Sequence, residues 1–192
     1  MVPCKPLFAG LAAAAALAPA PALATPSALA ASSALAATAP AKAGTPSASE
    51  RALLHSHELW ATIDVCGPAD QPNTVGIRGS MPGDGKAHDK MYMSFRLQYL
   101  SAAKQWVNLA SGASSGFVAV GSGASARQGG TSFELMKPAA GKAAVTLRGV
   151  VDFEWRRGRT VTVSAVEPTA AGHKSLAGAD PANYSAATCI IG

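Results

Sequence analysis

From residue 58 onward the chain predicts an all-β domain, an antiparallel sandwich or small barrel of about seven to nine short strands. Three observations carry this expectation. Apolar residues recur with a period of two, Gly/Pro/Asp/Ser stretches separate the apolar runs, and no window of about a dozen residues shows a helical stripe.

The strands follow in order. Leu59–Cys66 places Ala61, Ile63 and Val65 on one side, and Thr74–Met81 does the same with Val75, Ile77, Gly79 and Met81. Lys90–Leu100 is the clearest early alternation, with Met91, Met93, Phe95, Leu97 and Tyr99 apolar and Ser94, Arg96 and Gln98 polar between them. Trp106–Leu109, Gly116–Val120 and Thr131–Met136 are weaker runs. A longer alternation covers Ala143, Val145, Leu147, Gly149, Val151, Phe153 and Trp155, with Thr146, Arg148, Asp152, Glu154 and Arg156 facing water. Gly158 then supplies a tight turn into Thr160–Val166, and Tyr184–Ile191 closes the set. Turns and loops are expected over Gly67–Pro72, Pro82–Gly85, Gly121–Gly130 and Lys137–Gly141.

The first third of the chain differs in kind. Residues 1–24 read as a secretory signal peptide: Lys5, an apolar stretch from Leu7 to Ala18, helix-breaking Pro19 and Pro21, then the small-x-small Ala22-Leu23-Ala24. Residues 25–57 are rich in Ala, Ser, Thr and Pro and read as a flexible linker, too poor in large apolar side chains to offset their ordering entropy. A short helical turn over Ser49–His55, capped by Ser49, is compatible with its end. The folded domain is assigned to residues 58–192.

Three cysteines are too few for a disulfide-dense scaffold. Cys4 leaves with the signal, and the remaining pair, Cys66 and Cys189, is expected to bond after export. Closing so long a loop contributes about 4 to 5 kcal/mol at most on the chain-entropy model. The 16 basic and 11 acidic residues give a net charge of +5, which falls to +4 without Lys5. That balance leans mildly toward anionic partners but lacks the clustered basic stripe of a nucleic-acid binder.

The ladder Leu147-Arg-Gly-Val-Val-Asp-Phe-Glu-Trp155, with its Gly turn and following Thr/Val strand, resembles the F–G hairpin of immunoglobulin-like and fibronectin type III-like domains. The block from Cys66-Gly-Pro to Thr188-Cys189 is similar to small secreted bacterial proteins of unknown function. The resemblance covers residues 58–191 and implies a single antiparallel immunoglobulin-like β-sandwich. Two features depart from the immunoglobulin pattern: the cysteines join terminal rather than central strands, and Leu147 stands near where a corner tyrosine belongs. The resemblance implies no functional residues.

Candidate chemistry is sparse. Gly112-Ala-Ser-Ser-Gly116 spells Gly-x-Ser-x-Gly, but a nucleophile elbow needs a strand before the serine and a helix after it, and a strand follows here. His55 and His57 share one side if their segment is a strand. With His88 between Asp84 and Asp89 they are the candidates for a zinc or copper site, while His173 lies in a Gly-rich segment. Asp84 and Asp89 fit a turn better than a calcium loop. Arg156, Arg157 and Arg159 form a basic cluster at a hairpin tip, with Lys174 a further candidate, suited to phosphate, sulfate or carboxylate. Trp60 and Trp155 are expected in or near the core. Trp106 either packs in the sandwich or stacks on carbohydrate.

The functional expectation is a secreted, non-catalytic binding or structural module of the cell exterior or envelope, using the loops at one end, such as Gly121–Gly130, with the Arg156–Arg159 tip. Two alternatives stand beside it: a small extracellular hydrolase or metal-dependent enzyme using His55, His57, His88 or His173, and a polyanion or envelope-polymer binder through Arg156, Arg157 and Arg159. No cofactor is implied. The expected partner is an envelope polymer or an extracellular protein, with no nucleic acid and no membrane span after signal cleavage.

Overall fold

A computed structural model describes residues 46–110, 112–136, 139–174 and 176–192. The segment read as a signal peptide and most of the one read as a linker lie outside the described residues, as do Lys137 and Pro138 of one expected turn. Among the described residues are one helix, α1 (Ala48–Leu54), and nine strands: β1 (Trp60–Cys66), β2 (Thr74–Met81), β3 (Lys86–Leu100), β4 (Trp106–Asn108), β5 (Ser114–Gly123), β6 (Arg127–Glu134), β7 (Val145–Arg157), β8 (Thr160–Pro168) and β9 (Cys189–Ile191). No described helix is long and apolar enough to cross a membrane.

The strands form two antiparallel sheets. One has the order β1-β2-β6; in the other, β3 and β7 run side by side, with β4 and β5 on the outer edge of β3 and β8 and β9 on that of β7. The period-two residues of both sheets meet in one core, where Ile63, Ile77 and Met81 lie with Met91, Met93, Phe95, Leu97, Val151, Phe153 and Trp155, all without exposed surface. The sheets approach closely at Gly149: a Cβ there would stand 2.8 Å from Ile77 Cδ1 and 2.7 Å from Thr169 Cγ2, so only a bare α-carbon fits. At the tip of β7 and β8, Arg157 pairs with Thr160 and Gly158 takes φ +59, the conformation a two-residue hairpin loop asks of its first residue.

Several local expectations are corrected. The short helical turn allowed for at Ser49–His55 is present as α1, in the stretch assigned to the linker, and Leu53 packs against the core. Its cap is Ser47 rather than Ser49, because Glu50 stands three residues on and completes a reciprocal capping box. His55 caps the other end and His57 lies in a turn, so the two do not share a strand face. Most of the expected Gly121–Gly130 loop is strand, leaving only residues 124–126 between β5 and β6. Tyr184–Cys189 is not continuous strand: Ile63 exchanges both backbone hydrogen bonds with Ala186, at 2.9 and 3.0 Å. With Ala170 N–H donating to Ala61 O and Asp180 N–H to Asp64 O, the stretch between β8 and β9 covers the outer edge of β1 and removes an exposed row of backbone groups.

Cys66 and Cys189 are bonded, with a Cα–Cα separation of 5.5 Å. The bond joins the end of β1 in one sheet to β9 in the other.

Candidate binding face

In β3 and β7 the residues alternating with the core set face away from it, and the register aligns them in cross-strand rows: Tyr92 with Glu154, Ser94 with Asp152, Gln98 with Arg148. The outer face of the six-stranded sheet is therefore built of arginines, carboxylates, amides and aromatic rings. The Arg156 guanidinium lies 4.1 Å from the Tyr92 ring centroid and 4.8 Å from that of Phe117, and its Nε donates to Glu154 Oε2 at 2.6 Å. Arg96 is ion-paired with Asp152. Farther along, Arg148 stacks over Trp106 at 4.4 Å and donates from Nε to Gln98 Oε1 at 2.8 Å, and Gln98 Nε2 donates to Asn108 Oδ1 at 2.8 Å. Around these polar groups Phe117, Val161 and Val166 remain 43%, 44% and 56% exposed, an apolar fringe on a sheet face open to solvent.

Trp106 thus does not pack in the core; it lies on the outer face, against an arginine. Trp155 is fully buried and its indole N–H donates to Pro82 O at 3.0 Å. Trp60 is half-buried and stacks on His173 at 4.2 Å. Burial holds the His173 imidazole below its ordinary pKa, favouring the neutral ring.

The hairpin-tip arginines do not converge. Neighbouring residues on a strand face opposite sides, so Arg156 lies on the outer face while Arg157 turns the other way and clamps Asp89 at 2.9 and 3.1 Å. Asp89 has no exposed surface. Arg159 has no ion pair among the described residues. The Arg157 guanidinium holds the Asp89 carboxyl down at about 2, against an opposing push from burial and with further help from Asp84. A depressed carboxylate contributes stability that is fully present above its ordinary value of 3.8 and lost as pH falls through about 2. Asp89→Asn is therefore expected to lower the melting temperature at neutral pH and to flatten the loss of stability between about pH 4 and 2. Melting curves across that range check this; an unchanged acid limb contradicts it.

At the same end of the molecule a cleft of about 590 Å³ runs between α1 and the β2–β3 loop, lined by Glu50, Glu58, Asp84, Lys86, Arg157 and Thr162 among others. Both of its cations are engaged by carboxylates, Lys86 by Asp84 at 3.3 Å and Arg157 by Asp89. It therefore offers no free cation to an anionic ligand.

His88 is exposed, with Nε2 3.1 Å from Asp89 Oδ1. Among the described residues no three His, Cys, Asp or Glu side chains are grouped to hold a metal ion. In the Gly112–Gly116 segment Ser114 begins β5, and Ser115 Oγ accepts from Phe95 N–H at 3.0 Å, so this serine run belongs to a strand edge rather than a strand-to-helix elbow.

Of the sequence-selected binding residues, Arg156 and Trp106 fall on the outer sheet face and Arg157 does not. Tyr92, Gln98, Asn108, Phe117 and Arg148 were not selected; their only sequence signal is that Tyr92, Gln98 and Arg148 occupy solvent positions of the two strongest alternations. Comparison of the chain with protein-family models, with curated proteins and with solved structures finds no match.

Proposed function

We propose that this chain is an exported, non-catalytic binding module of the cell exterior or envelope, with an immunoglobulin-like sandwich that docks its partner on the outer face of the six-stranded sheet. One observation carries this reading. Arginines are stacked on Tyr92, Phe117 and Trp106 across a single solvent-exposed sheet face. Arginine and large aromatic side chains dominate binding energy where they are held rigid, because little rotamer entropy is then lost on docking. The strand order supports the immunoglobulin-like subtype: β1, β2 and β6 stand where strands A, B and E of that fold stand, and β3, β7 and β8 where C, F and G stand. The apolar stretch Leu7–Ala18, the Ala22-Leu23-Ala24 pattern and the disulfide support export into an oxidising compartment.

The test is capture of ligand from envelope and culture-medium fractions. Phe117→Arg combined with Val161→Arg, at two exposed positions, is expected to lower capture by about tenfold or more. Ser132→Arg, exposed on β6 in the other sheet, is expected to leave it unchanged. Capture that survives the first pair and disappears with Ser132→Arg would refute the assignment.

A further inference from the structure

Asn108, Gln98 and Arg148 stand side by side on three adjacent strands, in direct register. Their side chains are linked in one direction: Arg148 Nε donates to Gln98 Oε1, and Gln98 Nε2 donates to Asn108 Oδ1, each at 2.8 Å. This direction is forced. A guanidinium has no acceptor, so Gln98 must turn its oxygen to Arg148 and its amide nitrogen to Asn108, which must in turn present its oxygen. The hydrogens left over are both amide hydrogens of Asn108, the second amide hydrogen of Gln98 and those of the terminal Nη groups of Arg148, none bonded among the described residues, while Gln98 Oε1 and Asn108 Oδ1 each keep one lone pair. At a strand spacing of about 4.8 Å the row extends roughly 10 Å.

Arg148 also differs from its neighbours in charge pairing. On the same sheet face Arg96 and Arg156 each hold a carboxylate, whereas Arg148 holds none among the described residues. It is fixed instead by the Trp106 ring and by Gln98, which orient the guanidinium without neutralising it.

We infer that this row is a subsite for a carboxylated polysaccharide, a uronate residue placing its carboxylate on the Arg148 Nη groups and its hydroxyl and ring oxygens along Gln98 and Asn108. The assignment names the ligand class for the outer face proposed above and rests on that reading. Sugar hydroxyls both accept and donate and can rotate, so they can meet the outward N–H donors of this row and the one lone pair left on each amide oxygen. An extended peptide fits less well, because its N–H donors point in fixed directions and find only two lone pairs along the row. The half-buried Trp106 and Leu100, register partners at the end of the row, supply apolar surface beside it.

The experiment measures binding of the full chain to polygalacturonate, to the same polymer fully methyl-esterified, and to poly-glutamate. Retention is expected on polygalacturonate alone. Arg148→Gln should weaken it by at least about tenfold, the loss expected when one charge-assisted contact is removed. Asn108→Asp keeps the acceptor that Gln98 needs and replaces an outward donor by a negative oxygen. It is expected to weaken binding at least as much without lowering the melting temperature, which separates recognition from folding. Arg159→Gln should bind as wild type. Wild-type protein that ignores polygalacturonate at low salt overturns the inference, as does undiminished binding by both Arg148→Gln and Asn108→Asp. Equal binding of poly-glutamate overturns the saccharide assignment. If polygalacturonate fails while Phe117→Arg with Val161→Arg still abolishes capture from envelope fractions, this subsite falls and the outer-face reading stands.

Discussion

Replacing Cys66 and Cys189 together by alanine is expected to destabilise the domain by about 2 to 5 kcal/mol. The bonded residues are 123 positions apart, so the open chain regains the freedom of a loop that takes in almost the whole domain. The native state loses as well. The bond ties β1 to β9, and the segment between β8 and β9 is what covers the edge of β1, through the paired Ile63 and Ala186 amides. Denaturant midpoints give the energy, and amide exchange locates it: Ile63 and Ala186 should lose protection before the amides of β3 and β7 do. Equal midpoints with and without the bond would contradict this picture of the fold's ends.

Trp155→Ala is expected to cost about 3 to 5 kcal/mol. The side chain is wholly buried between the sheets, and its removal opens a cavity and leaves Pro82 O without the indole donor. Trp155→Phe restores most of the apolar volume but not the hydrogen bond, so its loss should be smaller. A Phe variant as unstable as the Ala variant would mean that the hydrogen bond, not packing, dominates at this position. The midpoint of urea unfolding, with slopes compared, separates the two.

What was legible in the sequence is what a half-buried strand writes into it. β3 and β7 alternate because one face meets the core and the other meets water; the alternation gives β7 to within two residues at each end and the end of β3, but not its first four residues, Lys86 to Asp89, which are mostly exposed. β5 was read short, and its end as loop, because it lies at a sheet edge with its first six residues exposed and carries glycines rather than an alternation. The cap of α1 was legible, and misread: Ser47 and Ser49 are both good caps, and only Ser47 has Glu50 at the capping-box spacing. The basic tip misled for a geometric reason, since Arg156 and Arg157 are neighbours in sequence and occupy opposite faces in space. The Asn108–Gln98–Arg148 row was out of reach. Its members are separated by 10 and 50 residues, and only the pairing register of three strands brings them into line.

The most direct test of the outer face as the binding surface is a chemical-shift map of the isotope-labelled full-length protein, titrated with the envelope fraction it captures. The expected shifts are those of the Trp106 indole N–H, the Gln98 and Asn108 side-chain amides, Arg148 Nε and the Phe117 backbone amide, while Ser132 on the opposite sheet stays still. Shifts confined to the turn at residues 124–126 and to Gly158 and Arg159, with the outer face silent, would move binding to the end of the sandwich and contradict the proposal.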